Sequence, residues 1–205
     1  MSICNRFVVH TVLALSAAVT LSGAASAAVS RWDCNLSIPA NTTGYFFNVD
    51  AKTYGTSNVT GWDLQIFSDS AAASVVFNAA TPAGIQKWGS PSFQAGNVPL
   101  GSLTGPASTY SLGGPYQATF SVAGQTKYEG MWNLNAVNYF GFKFIATDGY
   151  THYGFGKMTV GANANVRTLN YLEYDVVPGV GLIVPAPGAL ALVGLAGLGG
   201  KRRRR

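Results

Sequence analysis

Chemically reactive side chains are scarce in this chain of 205 residues. It contains two histidines and two cysteines, and one of each, His10 and Cys4, lies in the first ten positions. The rest of the chain keeps only Cys34 and His152. A zinc site built from His and Cys ligands is therefore excluded within one copy, as is an internal disulfide, and no cofactor is predicted. Cys34 is then a buried thiol, an intermolecular link or an incidental residue, and we favour the last.

Charged residues are also few, at 10% of the chain, and they are unevenly placed. Of the 13 basic residues, Arg6 lies near the start and five close the chain. The middle keeps seven basic residues against all eight acidic ones, a net charge of −1. Because such a body has no excess positive charge to neutralise phosphates, the sequence predicts no nucleic-acid partner.

The first 27 residues have the three parts of a secretory signal peptide. Arg6 supplies a positive charge, an apolar run follows through Leu15, and small residues end at Ala25-Ser26-Ala27. We expect export through the secretion machinery and cleavage by signal peptidase between Ala27 and Ala28. The alternative, a first transmembrane anchor, lacks the stop-transfer pattern that would follow it.

The last residues form an uncharged run between a proline pair and a basic cluster. The run extends from Pro187 to Gly200, and as a helix it would cover roughly 20 Å, which is short for a hydrocarbon core of about 30 Å. The basic tail consists of Lys201, Arg202, Arg203, Arg204 and Arg205. Such a cluster stays on the cytoplasmic side of a membrane, so a short, marginal C-terminal transmembrane helix is predicted.

A Pro-x-Pro element, a short Gly/Ala/Leu helix and a terminal Arg cluster, in this order, resemble the PEP-CTERM sorting signal of Gram-negative bacteria. The element itself consists of Val184, Pro185, Ala186, Pro187 and Gly188. Ala186 stands where the usual motif has an acidic residue. The resemblance covers residues 184–205 and implies an exosortase, a membrane transpeptidase that cuts near the prolines and passes the body to the envelope or matrix. The alternative is a plain C-terminal membrane anchor.

The body, residues 28–178, has the pattern of β-structure. No stretch shows an apolar 3.6-residue period over three turns, whereas short β-rich segments recur between Gly, Asn, Pro and Ser. The best predicted strands are 45–49, 62–67, 74–77, 116–122, 139–145 and 154–160. Phenylalanines occupy every second position of 139–145, and Leu64 and Ile66 alternate with polar residues, which is typical of strands with one buried face. We predict an antiparallel β-sandwich, jelly-roll or lectin-like, with its core-forming residues between Tyr45 and Tyr174.

Residues 139–175 carry a second resemblance, to the last three strands of a β-domain common among exported PEP-CTERM proteins. In that domain a GFRF strand, a Gly-containing turn, a HYGW strand and a closing YE strand recur. This chain reads Gly-Phe-Lys-Phe at 141–144, His-Tyr-Gly-Phe at 152–155 and Leu-Glu-Tyr-Asp at 172–175. The intervening Asp148-Gly149 has hairpin-turn chemistry, so the strands on either side are predicted to pair.

Residues 89–115 carry no charge and are rich in Gly, Ser and Pro. A structureless loop of this length is uncommon inside a compact domain. The segment therefore forms a binding rim, covers a sheet edge, or contains a short strand near Phe93 or Tyr110.

Two carboxylates near the end of the body, Glu173 and Asp175, are the best catalytic candidates. On a strand they share one face about 6–7 Å apart, a separation at which carboxylates act in glycoside hydrolysis. The third carboxylate usual in lectin-like sandwich glycosidases is missing, since Val176, Val177 and Pro178 follow. We favour the interpretation that both are solvated on the outer face of the last strand.

His152 and the aromatic residues each have a structural and a functional interpretation. His152 is expected to be a hydrogen-bonded strand residue opposite Lys143 or Phe144, because the sequence offers no partner that would make it a catalytic base. Glu129 is expected to be a surface charge on a strand. The aromatic residues that would form a carbohydrate platform, if several were exposed together, are Tyr45, Trp62, Trp88, Tyr110, Trp132, Tyr150 and Tyr153.

The predicted organisation is a signal peptide (1–27), a β-sandwich body (28–178) and a sorting signal (179–205). The expected function is that of an exported, non-enzymatic surface or matrix protein, anchored in the inner membrane before processing and then carried to the envelope, outer surface or extracellular matrix. Its expected partners are the secretion machinery, signal peptidase, an exosortase and the membrane, with exopolysaccharide as a further candidate. The alternatives are a carbohydrate-binding module and a glycoside hydrolase using Glu173 and Asp175.

Overall fold

The computed structural model of the chain describes residues 28–69, 74–89 and 92–186. The predicted signal peptide, including Ala25 and Ala27, lies outside these residues. Pro187 and Gly188, the predicted transmembrane helix and the basic tail lie outside them as well. The described residues contain no helix, and so none there has the length and apolar character needed to span a bilayer.

The described residues form fourteen β-strands, and every pairing between them is antiparallel. The strands are β1 (Val29–Trp32), β2 (Leu36–Ser37), β3 (Tyr45–Asn48), β4 (Thr53–Gly55), β5 (Leu64–Phe67), β6 (Val76–Ala79), β7 (Gly84–Gln86), β8 (Leu103–Thr104), β9 (Tyr110–Leu112), β10 (Tyr116–Gln117), β11 (Ala136–Ile145), β12 (Thr151–Val160), β13 (Arg167–Asp175) and β14 (Leu182–Ile183). The predicted all-β, antiparallel class is therefore confirmed for this part of the chain.

The strands are arranged in two larger sheets and one pair. One sheet has the order β1-β13-β12-β11-β7-β9, with β2 also pairing with β13; the other has the order β10-β6-β5-β3-β4; and β14 pairs with β8. The two larger sheets contribute to one apolar core, which includes Phe47, Leu64, Ile66 and Phe77 from one sheet and Phe140, Phe142, Phe144, Leu169 and Leu172 from the other. The rings of Phe77 and Phe140 meet across it, with their centroids 4.8 Å apart. This arrangement is consistent with a β-sandwich.

The long hairpin of β11 and β12 is the centre of the larger sheet. In its register Phe140 lies opposite Gly156, and a Cβ added at Gly156 would lie only 2.2 Å from Cζ of Phe140. The ring therefore occupies the space that the glycine leaves open. The turn predicted at 148–149 joins the two strands, with Gly149 at a φ of 81°, which confirms the predicted pairing.

A second apolar cluster covers the opposite face of this sheet. It consists of Val98, Phe155, Tyr171, Leu182 and Val184, all buried. Beyond β14, the Val184 amide donates to the Ser102 carbonyl at 2.9 Å, and the Val184 carbonyl accepts from Gly101 at 2.7 Å. The packed body thus reaches Val184, beyond residue 178, because these apolar residues cover the sheet.

Most of the predicted strands coincide with observed ones. The segments 45–49 and 62–67 contain β3 and β5, and 139–145 and 154–160 lie within β11 and β12. The segment 74–77 overlaps β6 in two residues, and 116–122 yields only the two residues of β10. The uncharged segment contains short strands, as the third alternative held: Tyr110 begins β9, and Phe93 forms a bridge with Trp88.

Two predictions about burial were wrong. The core-forming residues do not all lie between Tyr45 and Tyr174, since Ile38 is 1% exposed and Val184 is fully buried. The polar residues beside Leu64 are also buried rather than solvated, with Asp63 at 7% and Gln65 at 8% exposure. Other parts of the chain cover both faces of β5. The period-two alternation therefore identified the face that points into the core, but the opposite face is not exposed to solvent.

Candidate functional site

The predicted carboxylate pair lies at the end of β13, where it is not solvated. Asp175 is fully buried, and its Oδ1 accepts the Val177 amide at 2.8 Å. Glu173 keeps a side-chain exposure of 12%, and its Oε2 lies 3.4 Å from Nη1 of Arg31 on β1. Burial raises the pKa of Glu173, and the neighbouring Arg31 opposes this. The interpretation of two solvated carboxylates is therefore wrong, because β1 packs along this side of β13.

His152 has both ring nitrogens committed. It lies opposite Phe144, as predicted, and is 2% exposed. Its Nδ1 lies 2.8 Å from the carbonyl of Asp175, and its Nε2 lies 2.9 Å from Oδ2 of Asp148. A carbonyl only accepts hydrogen bonds, so Nδ1 is the donor toward Asp175. Both ring nitrogens of His152 therefore already have hydrogen-bond partners within the protein.

Asp50 links the loop after β3 to this hairpin end. Its carboxylate accepts the Thr147 hydroxyl at 2.6 Å, the Thr147 amide at 3.0 Å and the Tyr174 hydroxyl at 3.0 Å. These bonds, with those from Thr147 first, hold the pKa of Asp50 below its usual value. Asp50, Asp148 and His152 line a cavity of about 170 Å³, yet each already has partners of the protein's own. The cluster therefore stabilises the contact of the loop after β3 with the β11–β12 turn and with β13.

Metal ligands and the cysteine thiol were the remaining candidates for chemistry in the described residues. Among them, no group of three or more His, Cys, Asp or Glu side chains is placed to hold a metal ion. Cys34 is half-buried and forms no disulfide in this part of the chain. Its thiol lies 3.4 Å from the Trp32 carbonyl, and burial raises its pKa to about 12. At neutral pH it is a thiol rather than the reactive thiolate.

The seven aromatic candidates do not form one exposed platform. Trp132 is fully buried, Trp62 packs edge-on against Phe46 with centroids 5.2 Å apart, and Tyr110 packs against Tyr153 at 5.9 Å. Most of these residues therefore belong to internal aromatic contacts.

Two of the seven differ: Tyr150 is 63% exposed, and Trp88 lines an open cavity of about 370 Å³. The other residues of this lining are Lys87, Gly89, Ser92, Thr109 and Glu129. Trp88 donates its indole N–H to Oε1 of Glu129 at 2.9 Å. Glu129 was expected on a strand but lies in the turn before Met131, exposed at the surface. The sequence offered no signal for the pair, since its two members are 41 positions apart.

The residues at the two predicted processing points lie at the ends of the described chain. The Ala28 carbonyl, next to the predicted signal cleavage, accepts the Val176 amide at 2.8 Å. At the other end Val184 is buried, Pro185 is half-buried and Ala186 is exposed. The backbone pairing described above ends at Val184.

No family model, no curated protein and no solved structure matches this chain. Its function is therefore inferred from its own residues.

Proposed function

We propose that this chain is an exported surface or matrix protein of a Gram-negative bacterium, sorted by its C-terminal tail. The signal peptide directs the chain through the secretion machinery. The short apolar helix and the five terminal cations then hold it in the inner membrane until an exosortase cuts near Pro185 and Pro187. The ordered series of proline element, helix and basic cluster is the observation that carries this proposal.

The end of the backbone pairing at Val184 supports processing near Pro185 and Pro187. Proline has no amide hydrogen, so Pro185 and Pro187 cannot extend the pairing that ends at Val184. An enzyme can therefore bind the segment beyond Val184 in an extended form. A cut on the C-terminal side of Pro185 would leave Leu182 and Val184 in place over the sheet.

We propose further that the body is a lectin-like or jelly-roll sandwich with no catalytic activity. The supporting observation is that its acid and base groups are buried or bound within the protein rather than presented to a substrate. His152 is bound at both nitrogens, Asp175 is enclosed, and Glu173 lies against Arg31. A general acid or nucleophile must instead reach its substrate.

Hydrolysis assays test the catalytic alternative. The full chain, Glu173→Gln and Asp175→Asn are incubated with a panel of polysaccharides, and new reducing ends are measured. We expect no hydrolysis above that of an equally purified blank. Hydrolysis by the unmodified chain that both substitutions abolish would contradict the proposal and identify a glycosidase.

A further inference from the structure

We propose that the cavity beside Trp88, defined by Lys87, Trp88, Ser92, Thr109 and Glu129, binds a pyranose ring of a neutral polysaccharide. This goes beyond the proposed function, since neither export nor processing needs a ligand. The cavity volume of about 370 Å³ lies at the small end of the roughly 300–1,000 Å³ range of ligand sites. A single sugar ring, with its neighbours extending into solvent, suits this size.

Backbone contacts bring the lining residues together. The Lys87 amide donates to the Thr109 carbonyl at 2.8 Å, and Trp88 and Phe93 exchange two backbone bonds of 3.1 and 2.9 Å. Gly89 lies so close to the turn on the other side that an added Cβ would be 1.8 Å from the Glu129 carbonyl. Three separate segments of the chain therefore meet around the cavity, and these backbone contacts hold them there.

The orientation of the Trp88 ring is fixed before any ligand binds. Its indole N–H bonds to Glu129, and the side chain packs against the second apolar cluster, which includes Val98. A Cβ added at Gly96 would lie 2.5 Å from the Trp88 Cβ, so the chain around Gly96 leaves this side chain little room to move. A ring held in this way loses little conformational freedom on binding. The apolar C–H face of a pyranose can then stack on the aromatic surface that faces the cavity.

The polar groups around this ring suit sugar hydroxyls. Within the described residues, the ammonium of Lys87 forms no ion pair, so it is available as a donor. The Glu129 carboxylate has one oxygen bonded to Trp88 and a second that can accept a hydroxyl. Thr109 and Ser92 add groups of both kinds. The charges of Lys87 and Glu129 cancel, which favours a neutral glycan over a polyanion.

Binding to defined oligosaccharides tests the site. The full chain is purified in a detergent without a sugar headgroup, and its affinity for cellohexaose, mannohexaose and xylohexaose is measured by calorimetry, with an alginate hexamer as the anionic comparison. We expect at least one neutral probe to bind more tightly than alginate. Trp88→Ala should weaken that binding at least about tenfold, and Glu129→Gln should weaken it without altering the folded state, since Glu129 is exposed.

Trp62→Ala is the matched control, because Trp62 is also partly exposed but packs on Phe46, away from the cavity. Full affinity in this variant, with loss in Trp88→Ala and Glu129→Gln, supports the proposal. Any of three results overturns it: no binding of a neutral probe, unchanged affinity in Trp88→Ala and Glu129→Gln, or equal loss in Trp62→Ala. None of them would bear on export or processing.

Discussion

Asp63 is buried at the start of β5, where its Oδ2 accepts the Val49 amide at 2.8 Å. Burial raises the pKa of this carboxyl from 3.8 to about 7, while the Val49 amide opposes the shift. Because the pKa is higher in the folded chain than in the unfolded one, the folded state holds the proton more tightly. The resulting stabilisation is complete below pH 3.8 and is lost as the pH rises to about 7.

Asp63→Asn should therefore stabilise the protein at alkaline pH. The amide oxygen can still accept from Val49, and the buried negative charge is removed. We expect the free energy of unfolding, relative to the unmodified chain, to rise by about 2–4 kcal/mol between pH 4 and pH 8. Denaturant unfolding at both pH values measures this, with the exposed Asp33→Asn as control. An effect that is equal at the two pH values, or that falls with pH, would show that Asp63 is not a buried charge.

Arg167 shows what could not be predicted at the residue scale. It is 1% exposed, and its guanidinium donates to the carbonyls of Ser74, Ala164 and Pro39. Burial lowers its pKa to about 10. A charged partner can be looked for in the sequence by its residue type. The partners of Arg167 are backbone carbonyls, which every residue has, so nothing in the sequence distinguished Ser74, Ala164 and Pro39. His152 could be placed because its strand and register were clear.

At the scale of elements, the hairpin of β11 and β12 was predictable for a physical reason. Its turn has Asp-Gly chemistry, and its phenylalanines alternate over a length that exceeds any neighbouring segment. β7 and β14 have three and two residues, too few for a period to be recognised. Their pairing depends on the rest of the fold, which places β11 and β9 beside β7, and β8 beside β14.

Gly156→Ala tests the contact between the hairpin strands. A methyl group there would overlap the Phe140 ring, which is itself fully buried and fixed by the core. We expect destabilisation of about 1–3 kcal/mol. Thermal or denaturant unfolding measures it, and Gly55→Ala on β4, where the nearest atom is a Val59 methyl at 3.1 Å, should cost less. Equal costs would contradict a steric role for the Phe140 ring, since the change from glycine to alanine by itself lowers the entropy of the unfolded chain and stabilises.

At the scale of the molecule, the folded body and the predicted sorting element overlap at Val184. Val184 belongs both to the predicted sorting motif and to the cluster that covers Phe155 and Tyr171. A tail from residue 179 was predicted because the core-forming residues were expected to lie between Tyr45 and Tyr174. The all-β, antiparallel class could be predicted from periodicity, whereas the signal peptide and the sorting tail stay predictions, since they lie largely outside the described residues. The Trp88 cavity could not, since its residues converge from three distant segments.

Truncation measures how much the shared segment contributes. A chain of residues 28–186 should fold into a β-structure with one cooperative transition. A chain of residues 28–178 loses the buried Leu182 and Val184, so its free energy of unfolding should fall by about 3–5 kcal/mol. Circular dichroism during denaturant unfolding compares them. Equal stability would mean that β14 is not docked in solution, and a helical spectrum for either would contradict the all-β fold.

Mass spectrometry of the protein recovered from its native envelope and matrix tests the central claim most directly. If the chain is exported and sorted as proposed, the recovered form begins at Ala28, ends close to Pro185 and Pro187, and lacks the residues beyond about 190. Intact chains that still end in Lys201–Arg205, in cells with an active exosortase, would contradict the claim, because the tail would then be a plain anchor.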